Sequence, residues 1–96
     1  MTKEEIKKTV IDIIYGMFPE ANLDKDMVEY MDLIEDIGMD SISYISIIVE
    51  IEAKFEIIVP DECLLMENFR NINKIADIVT TQLPLHVMLY GEKSNE

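Results

Sequence analysis

The residues best placed to do chemistry lie close together, in Asp36-Ile37-Gly38-Met39-Asp40-Ser41-Ile42. Ser41 offers a short hydroxyl at the first position of an expected helix. Asp40 precedes it as a good N-cap, because its carboxylate can accept N–H bonds from the first turn. Gly38 permits the tight turn that such an entry needs, and Asp36 adds a second carboxylate. Taken alone, Asp40-Ser41 is an ordinary helix start. Two other sets invite attention. Cys63 and His86 are the single cysteine and single histidine, a thiol and an imidazole. Cys63 sits beside Leu64, Leu65 and Met66 and reads as a small buried hydrophobe, whereas His86 falls near the end of the chain. The acidic stretch from Asp32 to Asp40 suggests calcium, but the alternating ligands of a calcium loop are missing.

These residues must be positioned by helices. Thr2 and Glu5 form a Thr-x-x-Glu capping box. Ile6, Val10, Ile13, Ile14 and Met17 then recur at three- and four-residue steps, so the spacing predicts a first helix that ends before Pro19. Residues 19–39 lack a sustained helical period and are expected to form an ordered loop, pinned by some of its apolar side chains and containing a helical turn. Pro60, Asp61 and Glu62 suit the start of a short helix, broken again between Asn68 and Asn71. Asn71 caps a last helix that runs to Pro84. The expected fold is an all-α four-helix bundle, three longer helices and one short, over residues 1–83. A flexible tail is expected over 84–96.

The helix from Ser41 to Phe55 contains no Gly or Pro. Tyr44, Ile47, Ile48, Ile51 and Phe55 form one apolar stripe, suited to the core. Ile42, Ile45, Val49 and Ala53 form a second, which a small bundle does not need for its core. An exposed apolar face of this kind marks a partner site. Ile42, Ile45 and Val49 follow Ser41 by one, four and eight positions, so they share its side of the helix.

Composition narrows the function. Ninety-six residues make one domain, and 49% hydrophobic content is enough for a core. The net charge of −12 disfavours nucleic acid and anionic membrane surfaces as main partners. A single cysteine allows no internal disulfide and fits a reducing compartment. No run is long enough for a membrane span, and Met-Thr-Lys-Glu-Glu lacks the apolar segment of a signal peptide. A soluble, cytoplasmic monomer is expected.

The Asp36–Ile42 segment resembles the modification motif of acyl and peptidyl carrier proteins, usually Asp-Leu-Gly-x-Asp-Ser-Leu, with Ile37 and Ile42 in place of the two leucines. The likeness continues through Glu50-Ile-Glu-Ala-Lys-Phe55, Ile57-Ile-Val-Pro-Asp61 and Asn71 to Val79, so it spans roughly residues 3–83. It implies that a phosphopantetheinyl transferase, using coenzyme A and Mg²⁺, attaches 4'-phosphopantetheine to Ser41, with Asp36 and Asp40 orienting the transferase and its metal. A phosphodiester at Ser41 would be an anion at the positive end of a helix dipole. The arm's thiol would then carry the cargo as a thioester, and the chain itself would not be an enzyme and would bind no metal. The implied partners are an acyl- or aminoacyl-loading ligase and downstream synthase enzymes, met by Ile42, Ile45 and Val49 with Glu52 and Asp36 as a charged rim.

The chain departs from carriers of bacterial fatty-acid synthesis, which tend to have acidic residues just after the modified serine. Ser43, Ser46 and Ala53 occupy such places here, and Ile58 stands where a polar residue is usual. The reading therefore tilts to a free-standing carrier of a specialised polyketide, nonribosomal-peptide or lipid pathway. A housekeeping fatty-acid carrier and an unmodified interaction bundle of the same fold are the alternatives. Intact Gly38, Asp40 and Ser41 weigh against the second.

Overall fold

Each long segment with helical spacing is helical in the computed structural model, which describes residues 2–83. The helices are α1 (Lys3–Met17), the one-turn α2 (Lys25–Val28), α3 (Ser41–Phe55) and α4 (Ile72–Gln82), and the described residues contain no strand. The all-α bundle with three longer helices is thus observed. The tail expected over 84–96, and His86 with it, lies outside the described residues.

Local chemistry accounts for the helix ends. Glu5 N–H donates to Thr2 Oγ1 at 3.1 Å and Thr2 N–H donates to Glu5 Oε1 at 2.8 Å, completing the capping box of α1. Lys74 N–H donates to Asn71 Oδ1 at 2.8 Å at the start of α4. α3 is rich in β-branched residues, which are modest helix formers, so its stability must come from burying one face. Ile47, Ile51 and Phe55 are buried, and Tyr44 and Ile48 are half-buried. The helix stops where Glu56 turns left-handed, at φ 56°.

The core joins Ile6, Val10 and Ile14 of α1, Ile47 and Ile51 of α3, and Ile72, Ile75 and Val79 of α4, all fully buried. Each such side chain contributes about 1.5–3 kcal/mol on burial. α1 packs against both α3 and α4, and a Lys3–Asp77 ion pair links α1 to α4 at the surface.

Residues 19–39 are an ordered connection made of short turns. Val28 and Leu33 anchor it, each fully buried, while Leu23, Ile34 and Ile37 pack partly against the core. Met27 and Tyr30 stay exposed. Lys7 to Glu29 at 2.6 Å and Lys25 to Asp12 at 3.0 Å fasten the connection to α1.

The short helix expected after Pro60 is resolved into two 3₁₀ turns, Asp61–Cys63 and Met66–Phe69. Cys63 N–H returns to Pro60 O at 2.9 Å and Leu64 N–H to Asp61 O at 3.0 Å, closures too tight for an α-helix. Leu65 is extended, at φ −120° and ψ 136°. The Asn68 amide donates to Cys63 O at 3.2 Å and holds the two turns together. Cys63 is half-buried against the core, as a small hydrophobe would be. No helix among the described residues is long and apolar enough to cross a membrane.

Candidate functional site

The site is built by the nine residues, Asp32 to Asp40, that lead into α3. Asp32 starts the sequence of contacts: its Oδ1 accepts from Ile34 N–H and Glu35 N–H, both at 3.0 Å. That capping begins a wide π-type turn, Leu33–Ile37, a form frequent at functional sites. Asp36 N–H donates to Asp32 O at 2.7 Å, and Asp32 N–H donates to Asp36 Oδ2 at 2.8 Å. The two acids therefore lock each other's backbone, and Asp36 remains at the surface.

Gly38 closes the turn at φ 88°, with its N–H directed to Leu33 O. A side chain there would meet nothing within 4 Å. Glycine is thus required by the left-handed backbone and not by crowding. Met39 N–H also donates to Leu33 O, at 2.9 Å, and the Met39 side chain is buried. Burying Met39 sets the direction in which Asp40 and Ser41 emerge.

Asp40 caps α3, its Oδ1 accepting from Ser43 N–H at 2.9 Å. Hydrogen bonds from the Ser43 N–H and side chain hold the Asp40 carboxyl below the usual carboxylate range. Ser41 follows as the first helical residue and is exposed. A hydroxyl at an open corner, at the positive end of a fifteen-residue helix, fits a phosphodiester-linked prosthetic group. Ser41 would hold the group, and Asp40 and Gly38 set its geometry by shaping the helix start.

Beyond Ser41 the second stripe is open to solvent. Ile42 is 77% exposed, Ile45 58% and Val49 57%, against complete burial of Ile47 and Ile51 on the same helix. The contrast separates a core face from a free face within one element. Ser46 and Ala53 are exposed on α3 as well. Glu52 is placed differently from a simple rim residue. It is half-buried, and its Oε2 accepts from Val59 N–H at 3.0 Å, clasping the segment after α3.

One side chain near the site, that of Arg70, was not singled out by sequence reasoning, and Tyr44 was read only as part of the core stripe. Arg70, in the connection before α4, donates through Nε to Asp32 Oδ2 at 2.6 Å and through Nη1 to Glu67 Oε1 at 2.5 Å. Its guanidinium holds the Asp32 carboxyl below the usual range. The signal available in sequence was that Arg70 is the only arginine of an acidic chain. Tyr44 stacks edge-on against Phe69, with ring centroids 5.4 Å apart. Its hydroxyl is buried without a protein partner among the described residues, and burial pushes its pKa up.

Comparison with known proteins points the same way as the geometry. Residues 20–79 match the family described as "Phosphopantetheine attachment site". The chain is 24% identical over 79 residues to "Aminoacyl carrier protein 1" of Bradyrhizobium diazoefficiens, covering 82% of this chain and 87% of that one. It is 35% identical over 63 residues to the "Acyl carrier protein" of Chlorobium phaeovibrioides, covering 65% of this chain and 77% of the relative.

Proposed function

The chain belongs to the phosphopantetheine-attachment family of acyl and aminoacyl carrier proteins, and from that premise we propose that Ser41 is the residue that receives the arm. The family's prosthetic group is 4'-phosphopantetheine, covalently attached. When bound, the arm supplies a thiol on which cargo is held as a thioester. The observation that carries the assignment is the placement of Ser41: exposed, first in α3, and delivered by a turn that depends on the positive φ of Gly38.

The chain's own contribution is presentation. Asp40 holds the helix start so that the Ser41 hydroxyl projects into solvent, where a transferase carrying coenzyme A and Mg²⁺ can reach it. Asp36, at the surface of the same turn, offers a carboxylate towards the transferase and its metal. Cargo chemistry belongs to partner enzymes, so the chain acts as a carrier and not as a catalyst.

The cargo class and pathway are read from the docking face. Ile42, Ile45 and Val49 form an open apolar strip, with Ser43, Ser46 and Ala53 where fatty-acid carriers tend to be acidic. Such a face suits a dedicated set of loading and synthase enzymes that recognise shape and apolar area more than charge. The reading is an acyl or aminoacyl carrier of a specialised polyketide, nonribosomal-peptide or lipid pathway, working in the cytoplasm. The carrier unit is assigned to residues 1–83.

Co-expression with a broad-specificity phosphopantetheinyl transferase tests the assignment. Intact mass should rise by one phosphopantetheine, and Ser41→Ala should abolish the gain while leaving helix content unchanged. An unchanged mass with several competent transferases overturns it.

A further inference from the structure

Besides its apolar side chains in the core, the segment that delivers Ser41 is held by a polar contact from a distant residue. Arg70 meets it twice. Its carbonyl accepts from Leu33 N–H at 2.7 Å, and its Nε donates to Asp32 Oδ2 at 2.6 Å. Both contacts fall at the start of the Leu33–Ile37 turn, and both propagate. Asp32 uses its other oxygen to cap the turn and its own N–H to hold the Asp36 carboxylate. Leu33 uses its carbonyl to accept from Gly38 and Met39, the residues that lead directly into Asp40 and Ser41.

Charge makes the contact hard to replace. Asp32, Glu35 and Glu67 converge on the guanidinium, at 2.6, 3.5 and 2.5 Å. Lys74 reaches this group only at its edge, 3.9 Å from Glu67. Without the Arg70 side chain, three carboxylates would face one another, and of its two contacts with the turn only the backbone bond from Leu33 would remain. A lysine would keep the charge but could not fork between Asp32 and Glu67 with fixed geometry.

We propose that Arg70 is a positioning residue for loading: it orders the turn that presents Asp36, Asp40 and Ser41 to the transferase, without itself touching the reacting hydroxyl. The role rests on the reading of Ser41 as the attachment residue. The Arg70 side chain acts through the Asp32 salt bridge, beside a Leu33 backbone bond that any residue at this position would keep, so it reaches Ser41 only through the order of residues 33–41.

The test uses the full chain, without its arm, and two measurements. The first is the initial rate of arm transfer from coenzyme A by a broad-specificity transferase, followed by intact mass. The second is amide hydrogen exchange along the chain. Arg70→Ala should lower kcat/KM for loading by about tenfold or more, as small misplacements at a reacting group do. Amides of residues 33–41 should lose protection, while those of α1 and α4 keep it. Arg70→Lys should fall between parent and alanine variant. Asp32→Asn should behave like Arg70→Ala, and the double variant should be no worse than the poorer single one, because both act through one contact. The lysine and Asp32 variants keep the test decisive if Arg70→Ala does not fold. Loading at the parent rate overturns the proposal. So does slow loading with unchanged exchange over 33–41, which would make Arg70 a direct transferase contact. A parent chain that takes up no arm overturns the reading of Ser41, whereas unchanged exchange in Arg70→Ala overturns the role of Arg70 whatever the loading rate.

Discussion

Arg70 Nε and Asp32 Oδ2 lie 2.6 Å apart across 38 positions of the chain, with side chains only 27% and 32% exposed. Asp32 also accepts two backbone N–H bonds, so the ion pair is part of a network and not an isolated surface contact. Isolated surface pairs contribute little; forked arginine pairs within a network contribute more.

This pairing makes stability depend on pH in a defined direction. The Asp32 carboxyl is held below its ordinary value of 3.8 by Arg70 and by the Glu35 N–H. The unfolded chain binds that proton more readily, so the stabilisation is complete above the unfolded value and lost as pH falls through the lowered folded value. Asp32→Asn should therefore lower Tm near neutral pH, and the gap to the parent should close on acidification below about 3.8. Lys7 works at the opposite end. Its pKa is raised above 10.5 by Glu29, so its contribution is present below 10.5 and disappears as pH rises through the raised value. Thermal melts across a pH series measure both.

Two glycines should respond in opposite directions to the same substitution. Gly38→Ala forces a side chain into φ 88° with free space around it. The cost is purely conformational, about 1–2 kcal/mol. Gly16→Ala also meets nothing within 4 Å, but it lies inside α1, where alanine should add about 0.5–1 kcal/mol. Urea unfolding of the two variants compares them directly, and only Gly38→Ala should also slow arm transfer.

Tyr44→Phe should raise stability by up to about 1 kcal/mol. The buried hydroxyl has no protein partner among the described residues, whereas the edge-on contact with Phe69 needs only the ring. Denaturant midpoints at constant m-value would show it.

The open face of α3 should separate function from stability. Ile45→Ser and Val49→Ser alter residues 58% and 57% exposed, so folding should change by no more than about 0.5 kcal/mol. Turnover by the loading or synthase partner should fall about tenfold for each. Glu52→Ala should differ. It leaves the Val59 N–H without its acceptor, and about 1 kcal/mol of stability should be lost. Paired melts and partner-dependent kinetics distinguish the two classes.

Much of the site was legible because it is local. A Thr-x-x-Glu box, an Asp40 cap and an Asn71 cap each join residues three positions apart, and short-range hydrogen bonds are written in short-range spacing. The same holds for the two stripes of α3, because helical period alone sorts Ile47 and Ile51 from Ile42, Ile45 and Val49. The region after Pro60 was less legible. Between Asp61 and Phe69 an extended Leu65 divides two 3₁₀ turns, and the Asn68 amide ties them together through Cys63 O, a division that no apolar period in the sequence marks.

The sequence by itself determined that Ser41 opens a helix, that a glycine precedes it where the chain must turn, and that one apolar stripe of that helix stays outside the core. Only the tertiary structure decided what holds that opening in place. Arg70 and Asp32 are far apart in sequence, and no periodicity links them. The packing that places the Met66–Phe69 turn against α3 and α4 brings the one guanidinium to the carboxylate that caps the turn before Ser41.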